Sequence, residues 1–151
     1  MDFEALSLVS NIYRAATTIR RRMQQQVLAT EQLSWTAFVT IWVLWIWGEM
    51  ETRHLAAEAG VTKGTLTGVL DTLERRDLVR RHRHEDDRRL VSVALTDEGR
   101  ALISRVYPRF NREEAAVSGV VPEQHRAAVT DGLRRIVREL GDVEEPDAAR
   151  P

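Results

Sequence analysis

Between residues 75 and 89 the sequence sets Arg75, Arg76, Arg80, Arg81, Arg83, Arg88 and Arg89 against Asp77, Glu85, Asp86 and Asp87, a local excess of positive charge in a chain whose formal net charge is −1. Guanidinium groups at this density suit paired hydrogen bonds to phosphate oxygens. Because the chain as a whole is not basic, any contact with nucleic acid must come from this patch. The carboxylates of Asp86 and Asp87 stand beside Arg88 and Arg89, where they can hold a guanidinium in position. His82 and His84 alternate on one side of the same stretch. With no cysteine in the chain and no third ligand nearby, they read as phosphate-facing or solvent-facing side chains rather than a metal site. No Ser/His/Asp grouping, glycine-rich phosphate loop or HExxH motif is present, so no catalytic residue, metal or cofactor is expected.

Just upstream lies a second set of residues with a distinct use. Leu66, Val69, Leu70 and Leu73 recur at the spacing of a narrow helical stripe, which leaves Thr62, Lys63, Gly64, Thr65, Thr67 and Gly68 on the opposite side. That side is small and carries only one charge, Lys63. It suits a helix that enters a major groove about 12 Å wide, where hydroxyls and an ammonium reach base edges and phosphates. Before it, Leu55-Ala56-Ala57-Glu58-Ala59-Gly60-Val61 reads as a short helix and tight turn: the alanines permit close approach and Gly60 permits the turn. The candidate DNA-contacting residues are therefore Thr62, Lys63, Gly64, Thr65 and Thr67 on the helix. Arg75, Arg81, Arg83, Asp87, Arg88 and Arg89 belong to the basic patch, whose tip can enter the minor groove.

The elements that must position these residues follow from periodicity. Apolar residues from Phe3 to Val27 predict one amphipathic helix over residues 3–28. Ser34 is an N-cap candidate for a second helix that ends near Trp47 and Gly48; it is apolar nearly all round and so is expected to be buried nearly all round. Thr52 is read as the cap of a third helix over residues 53–59, and Thr62 as the cap of a fourth reaching about Arg76. Leu78-Val79 and the alternation Leu90 to Leu95 predict a β-hairpin with a long charged tip. Thr96-Asp97-Glu98 opens a fifth helix, with a kink expected at Pro108, and Pro122 opens a sixth. The order ααααββαα gives a mainly α protein with a small β-hairpin wing, a winged helix-turn-helix.

The composition, 43% hydrophobic and 30% charged, is that of a soluble globular protein. The absence of cysteine excludes disulfides, thiolate zinc sites and a cysteine redox switch, and a reducing cytoplasm is the expected location. The apolar block from Ala37 to Trp47 is far short of the roughly 20 residues needed to span a bilayer, and acidic Asp2 and Glu4 stand where a secretory signal would carry positive charge. No membrane partner is expected.

Three stretches together resemble the MarR family of regulators: Gly60-Val61-Thr62-Lys63-Gly64-Thr65-Leu66-Thr67, then Leu70-Asp71-Thr72-Leu73-Glu74-Arg75-Arg76 with Leu78-Val79-Arg80-Arg81, then Asp87-Arg88-Arg89-Leu90 onward to Gly99. The resemblance covers nearly the whole chain. It implies that Asp87 and Arg89 form the family's Asp-x-Arg wing motif, and that Thr62, Lys63, Thr65 and Thr67 sit at recognition-helix positions. Two residues depart from the family pattern: Gly68 replaces a larger polar residue, and Asp77 replaces the glycine usual before Leu-Val. The resemblance further implies one MarR-like domain over residues 1–151. Within it are dimerisation helices at 3–30 and 97–140, a DNA-binding lobe at 34–96 and an acidic, frayed tail at 141–151. Double-stranded DNA and a second copy of the chain are the expected partners, with repression at an inverted-repeat operator. A small, often aromatic effector is expected in a crevice between dimerisation helices and lobe, with Tyr13, Trp35, Trp42 and Trp45 as candidate lining. The alternative use of these rings is core or dimer interface, and the alternative function is a winged-helix protein–protein module without DNA binding.

Overall fold

The computed structural model describes residues 1–83 and 90–141, and the chain forms two compact units, residues 1–113 and 114–151. In the first unit, α1 (Phe3–Met23) starts where the Asp2 carboxylate accepts the Ala5 N–H at 2.9 Å, an N-cap bond that satisfies one of the helix's free donors. The helical run continues as a π turn at Gln24–Leu28 and a 3-10 turn at Ala29–Glu31. It ends at Gln32, which takes a left-handed φ of 53°. Met23 is the only buried residue of α1, because the apolar side chains of its first turns face outward.

Helix α2 (Trp35–Trp47) is capped as read from the sequence, with the Ser34 hydroxyl accepting the Ala37 N–H at 3.1 Å. The expectation that it is buried nearly all round needs correction. Ala37, Phe38, Thr40, Ile41, Val43 and Leu44 are buried, whereas Ile46 and Trp47 are 48% and 63% exposed. The exposure is confined to the C-terminal end of α2, since every residue from Trp35 to Trp45 is buried or half-buried.

A second correction follows α2. Met50–Glu51 form a short strand, β1, which sequence periodicity could not register in two residues; its Met50 and Glu51 pair with Val93 and Ser92. Pairing holds Glu51 extended, so the turn into α3 (Thr52–Glu58) falls there and Thr52 is already helical rather than the cap. The element order is therefore ααβααββαα, and the sheet has three antiparallel strands in the order β1-β3-β2.

Gly60 turns the chain between α3 and α4 (Lys63–Arg75) with a φ of 64°, a conformation that costs glycine little. The Thr62 hydroxyl accepts the Thr65 N–H at 3.2 Å and caps α4 as expected. β2 (Val79–Arg83) and β3 (Val91–Leu95) pair with Val79 opposite Leu95, Arg81 opposite Val93 and Arg83 opposite Val91. α5 (Asp97–Val120) then starts under the Thr96 hydroxyl, which accepts the Gly99 N–H at 3.0 Å, and runs as one helix through Pro108. A side chain at Gly99 has no room: a Cβ there would lie 2.0 Å from the Leu78 carbonyl oxygen. The core of this unit joins Leu28, Ile41 and Leu44 to Leu55, Leu66, Leu70 and Leu73 and to Ile103 and Val106 of α5. Phe38 stacks on Phe110 with centroids 4.2 Å apart.

In the second unit, α6 (Glu123–Leu140) follows Pro122, whose fixed φ suits a helix start. Val129, Leu133, Ile136, Val137 and Leu140 recur along α6 at helical spacing and are all exposed in the single chain. No single helix among the described residues is long and apolar enough to cross a membrane.

Candidate nucleic-acid interface

The site is built on α4. Leu66, Leu70 and Leu73 are each no more than 1% exposed, and burying one such side chain stabilises by roughly 1.5–3 kcal/mol. That stripe fixes the roll of α4, and the rest of the helix follows. Thr62, Lys63, Gly64, Thr65, Thr67 and Gly68 are all exposed. Among the described residues, and apart from α4's own backbone, nothing lies within 4 Å of a Cβ built at Gly64 or Gly68, so this face is open as well as small. Val69 is the exception within the stripe, being only half-buried.

The hydroxyls of the open face are partly engaged by α4 itself. Thr62 Oγ1 lies 3.0 Å from Thr65 Oγ1, and Thr67 Oγ1 donates to the Lys63 carbonyl at 3.0 Å. Lys63 stands at the first helical position, where an ammonium and the free N–H groups of the helix end together favour an anion. Further along, Arg75 is exposed and donates from Nη2 to Thr72 Oγ1 at 3.1 Å.

The wing strand β2 presents two kinds of arginine. Arg80 and Arg83 are exposed. Arg81 instead lies on the same side of the strand as buried Val79 and reaches α4. Its Nε and Nη2 donate to Glu74 Oε2 at 3.0 and 2.7 Å, and Nη2 also donates to Asp71 Oδ1 at 2.5 Å. The backbone N–H of Arg81 donates to Glu74 Oε1 at 3.2 Å. The Arg81 side-chain bonds hold the Glu74 carboxyl below the usual carboxylate range, and Glu74 followed by Asp71 raises the Arg81 guanidinium. This clamp fastens the wing to α4. Sequence reading gave Arg81 a phosphate and missed Asp71 and Glu74; the signal was the period-two alternation, which turns Arg81 inward.

Asp87, Arg88 and Arg89, with His84, lie outside the described residues, as does the tail beyond residue 141. Among the described residues there is no group of three or more His, Asp or Glu side chains placed to hold a metal.

The candidate effector residues are distributed over two helices. Tyr13 is 71% exposed on α1. Trp35, Trp42 and Trp45 are half-buried on α2. Trp35 meets Phe110 with centroids 6.1 Å apart, under the Arg20 guanidinium at 5.7 Å, while Trp45 meets Tyr107 at 5.2 Å. Trp35 and Trp45 thus flank neighbouring positions of one α5 face.

A short helix, a glycine turn, a helix with one open face and an antiparallel strand pair define a winged helix-turn-helix protein. The profile of the MarR family matches residues 33–91. The chain is 36% identical over 140 residues to YwaE, an uncharacterized HTH-type transcriptional regulator of Bacillus subtilis, with 93% of this chain and 82% of YwaE covered. It is 27% identical over 135 residues to the HTH-type transcriptional repressor NicR of Pseudomonas putida, covering 89% of this chain and 85% of NicR. Among solved structures, BpsR of Bordetella bronchiseptica, whose DNA binding is regulated by 6-hydroxynicotinic acid, superposes with a TM-score of 0.80 at 25% identity, over 86% of this chain and 98% of BpsR. This chain belongs to the MarR family and is a transcriptional regulator of that type, not an enzyme.

Proposed function

We propose that the protein is a cytoplasmic repressor that binds duplex DNA as a homodimer and is released by a small aromatic effector. The observation that carries the DNA-binding reading is the open face of α4, on which Thr62, Lys63, Gly64, Thr65 and Thr67 are exposed beside the exposed wing arginines. In this reading those five residues enter the major groove. Arg75, Arg83, Asp87, Arg88 and Arg89 meet or orient toward the backbone and minor groove. Arg81 contributes by holding the wing against α4, its guanidinium being engaged by Asp71 and Glu74.

Residues 34–96 are the proposed DNA-binding lobe, and residues 3–30 and 97–140 the proposed dimerisation helices. The apolar side chains that the single chain leaves exposed support the latter: Phe3, Leu6, Leu8 and Val9 on α1, and Val129, Leu133, Val137 and Leu140 on α6. Large apolar side chains left exposed in this number are what a second copy of the chain would cover. A two-fold dimer presents two α4 helices to half-sites one helical turn apart, about 34 Å, and so selects an inverted repeat. Repression follows the precedent of NicR by name. For the effector, BpsR supplies the precedent of an aromatic acid, and Tyr13, Trp35, Trp42 and Trp45 are the proposed lining, indoles offering flat apolar area and an N–H donor.

Gel retardation tests the reading. Duplexes enriched by the protein from a randomised library should be retarded with an affinity that falls steeply as salt rises, because phosphate contacts release counterions. No enrichment and no retarded band at low salt would favour the protein–protein module.

A further inference from the structure

The segment that joins α1 to α2 is irregular, and it gathers three elements. After the π turn and the 3-10 turn, the chain reverses at Gln32 with its left-handed φ of 53°. The joint is seated in the core by Val27, Leu28 and Leu33, each no more than 2% exposed, and Gln24 Nε2 donates to the Leu33 carbonyl at 2.8 Å. Arg76, the residue that ends α4, reaches across to it. Its Nη1 donates to the Gln32 carbonyl and its Nη2 to the Glu31 carbonyl, both at 2.9 Å. These carbonyls close a helical run and carry its partial negative charge, so a guanidinium is the favoured partner. From the other side, the Glu31 carboxylate accepts from Arg105 Nη2 at 3.2 Å and Arg109 Nη1 at 3.3 Å, one turn apart on α5. Arg109 Nη2 also donates to Thr30 Oγ1 at 3.1 Å.

We infer that Glu31 and Arg76 are positioning residues for DNA recognition, fastening the end of α4 to the α1–α2 joint and to α5. The inference rests on the DNA-binding reading above. The leucine stripe of α4 fixes its roll but is apolar and non-directional, so it tolerates small tilts. A planar fork bonded to two successive carbonyls does not, because both bonds depend on one orientation. Glu31 sets the position of those carbonyls relative to α5. The joint thereby ties the tilt of α4 to the helices proposed to pair two copies, and tilt governs whether both α4 helices meet their half-sites together.

Two full-length variants test this. Arg76→Lys keeps the positive charge but replaces the fork by a point charge that cannot hold two carbonyls in one geometry. Glu31→Gln keeps the shape and removes the charge that holds α5, without altering α4. Each is titrated by fluorescence anisotropy against a duplex enriched by the wild-type protein from a random library, and against a scrambled duplex of equal length. The active fraction is measured by stoichiometric titration. Both variants should lose roughly three- to thirtyfold in affinity for the enriched duplex, with the scrambled duplex bound as before and the salt slope unchanged. The double variant should lose less than the product of the two, since both act on one joint. Arg105→Gln, at a side chain 55% exposed, repeats the test where folding is least at risk. Unchanged discrimination in all three variants would overturn the inference while leaving the DNA-binding reading intact. With the charge removed in Arg76→Gln, an equal fall on both duplexes and a salt slope shallower by about one would also overturn it, making Arg76 a phosphate contact. Failure of the wild-type protein to enrich any duplex would remove the DNA-binding reading and this inference with it.

Discussion

Replacing Arg81 by methionine keeps most of the apolar stem and deletes the guanidinium that ties the wing strand to α4. Three side-chain hydrogen bonds are lost, two to Glu74 and one to Asp71, while the backbone bond from Arg81 to Glu74 stays. The side chains of Arg81, Asp71 and Glu74 are 28%, 47% and 38% exposed, so water screens the ion pairs and the loss of a fully buried pair does not apply. Each pair contributes up to about 1 kcal/mol, and Asp71 and Glu74, one helical turn apart, then repel with nothing between them, which costs a few tenths more. The total is at most about 2 kcal/mol, equivalent to a Tm lowered by no more than roughly 4–8 °C for a chain of this size. The pH dependence identifies the cause. Folded Glu74 is more acidic than unfolded Glu74, so the folded state binds fewer protons. Its contribution is complete above the ordinary carboxylate pKa and is lost as pH falls through the folded value. Thermal unfolding followed by circular dichroism should therefore separate wild type from Arg81→Met fully at neutral pH and progressively less below pH ~4. A Tm difference that is the same at neutral and acid pH would refute the electrostatic assignment.

Two further substitutions probe the frame around the wing. Asp77 holds a φ of 53°, which glycine adopts without a Cβ penalty; Asp77→Gly should raise stability by about 0.5–1 kcal/mol, and a lower urea midpoint would contradict this. Gly99→Ala should cost at least about 2 kcal/mol, because its Cβ would lie 2.0 Å from the Leu78 carbonyl oxygen; an unchanged midpoint would show that the start of α5 can move away from the wing.

Much of this fold is legible before any coordinates. The caps at Ser34 and Thr62, the turn at Gly60 and the stripe Leu66, Leu70 and Leu73 follow from local chemistry and a period of 3.6. What eluded the sequence depended on partners distant along the chain. β1 is only two residues, extended because β3 lies beside it, and that displaces the expected cap at Thr52. The exposed end of α2, with Ile46 and Trp47, reflects how little of the chain covers it. Among the site residues, the open face of α4 could be read from what the stripe leaves over. The fate of Arg81 could not be read from charge density, which treats every arginine of a basic run alike; strand alternation distinguishes it from Arg80. The joint at Glu31 has no local signature, since its partners Arg76, Arg105 and Arg109 are 45, 74 and 78 residues away.

In the proposed complex the face of α4 opposite its leucine stripe meets duplex DNA. Lys63→Ala, at an exposed first-turn position with no structural bond from its ammonium among the described contacts, tests it most directly when log affinity for an enriched duplex is plotted against log salt. Binding should weaken, with a slope shallower by about one for each Lys63 that meets a phosphate, while thermal stability stays unchanged. The same affinity and slope as the wild-type protein would contradict that contact.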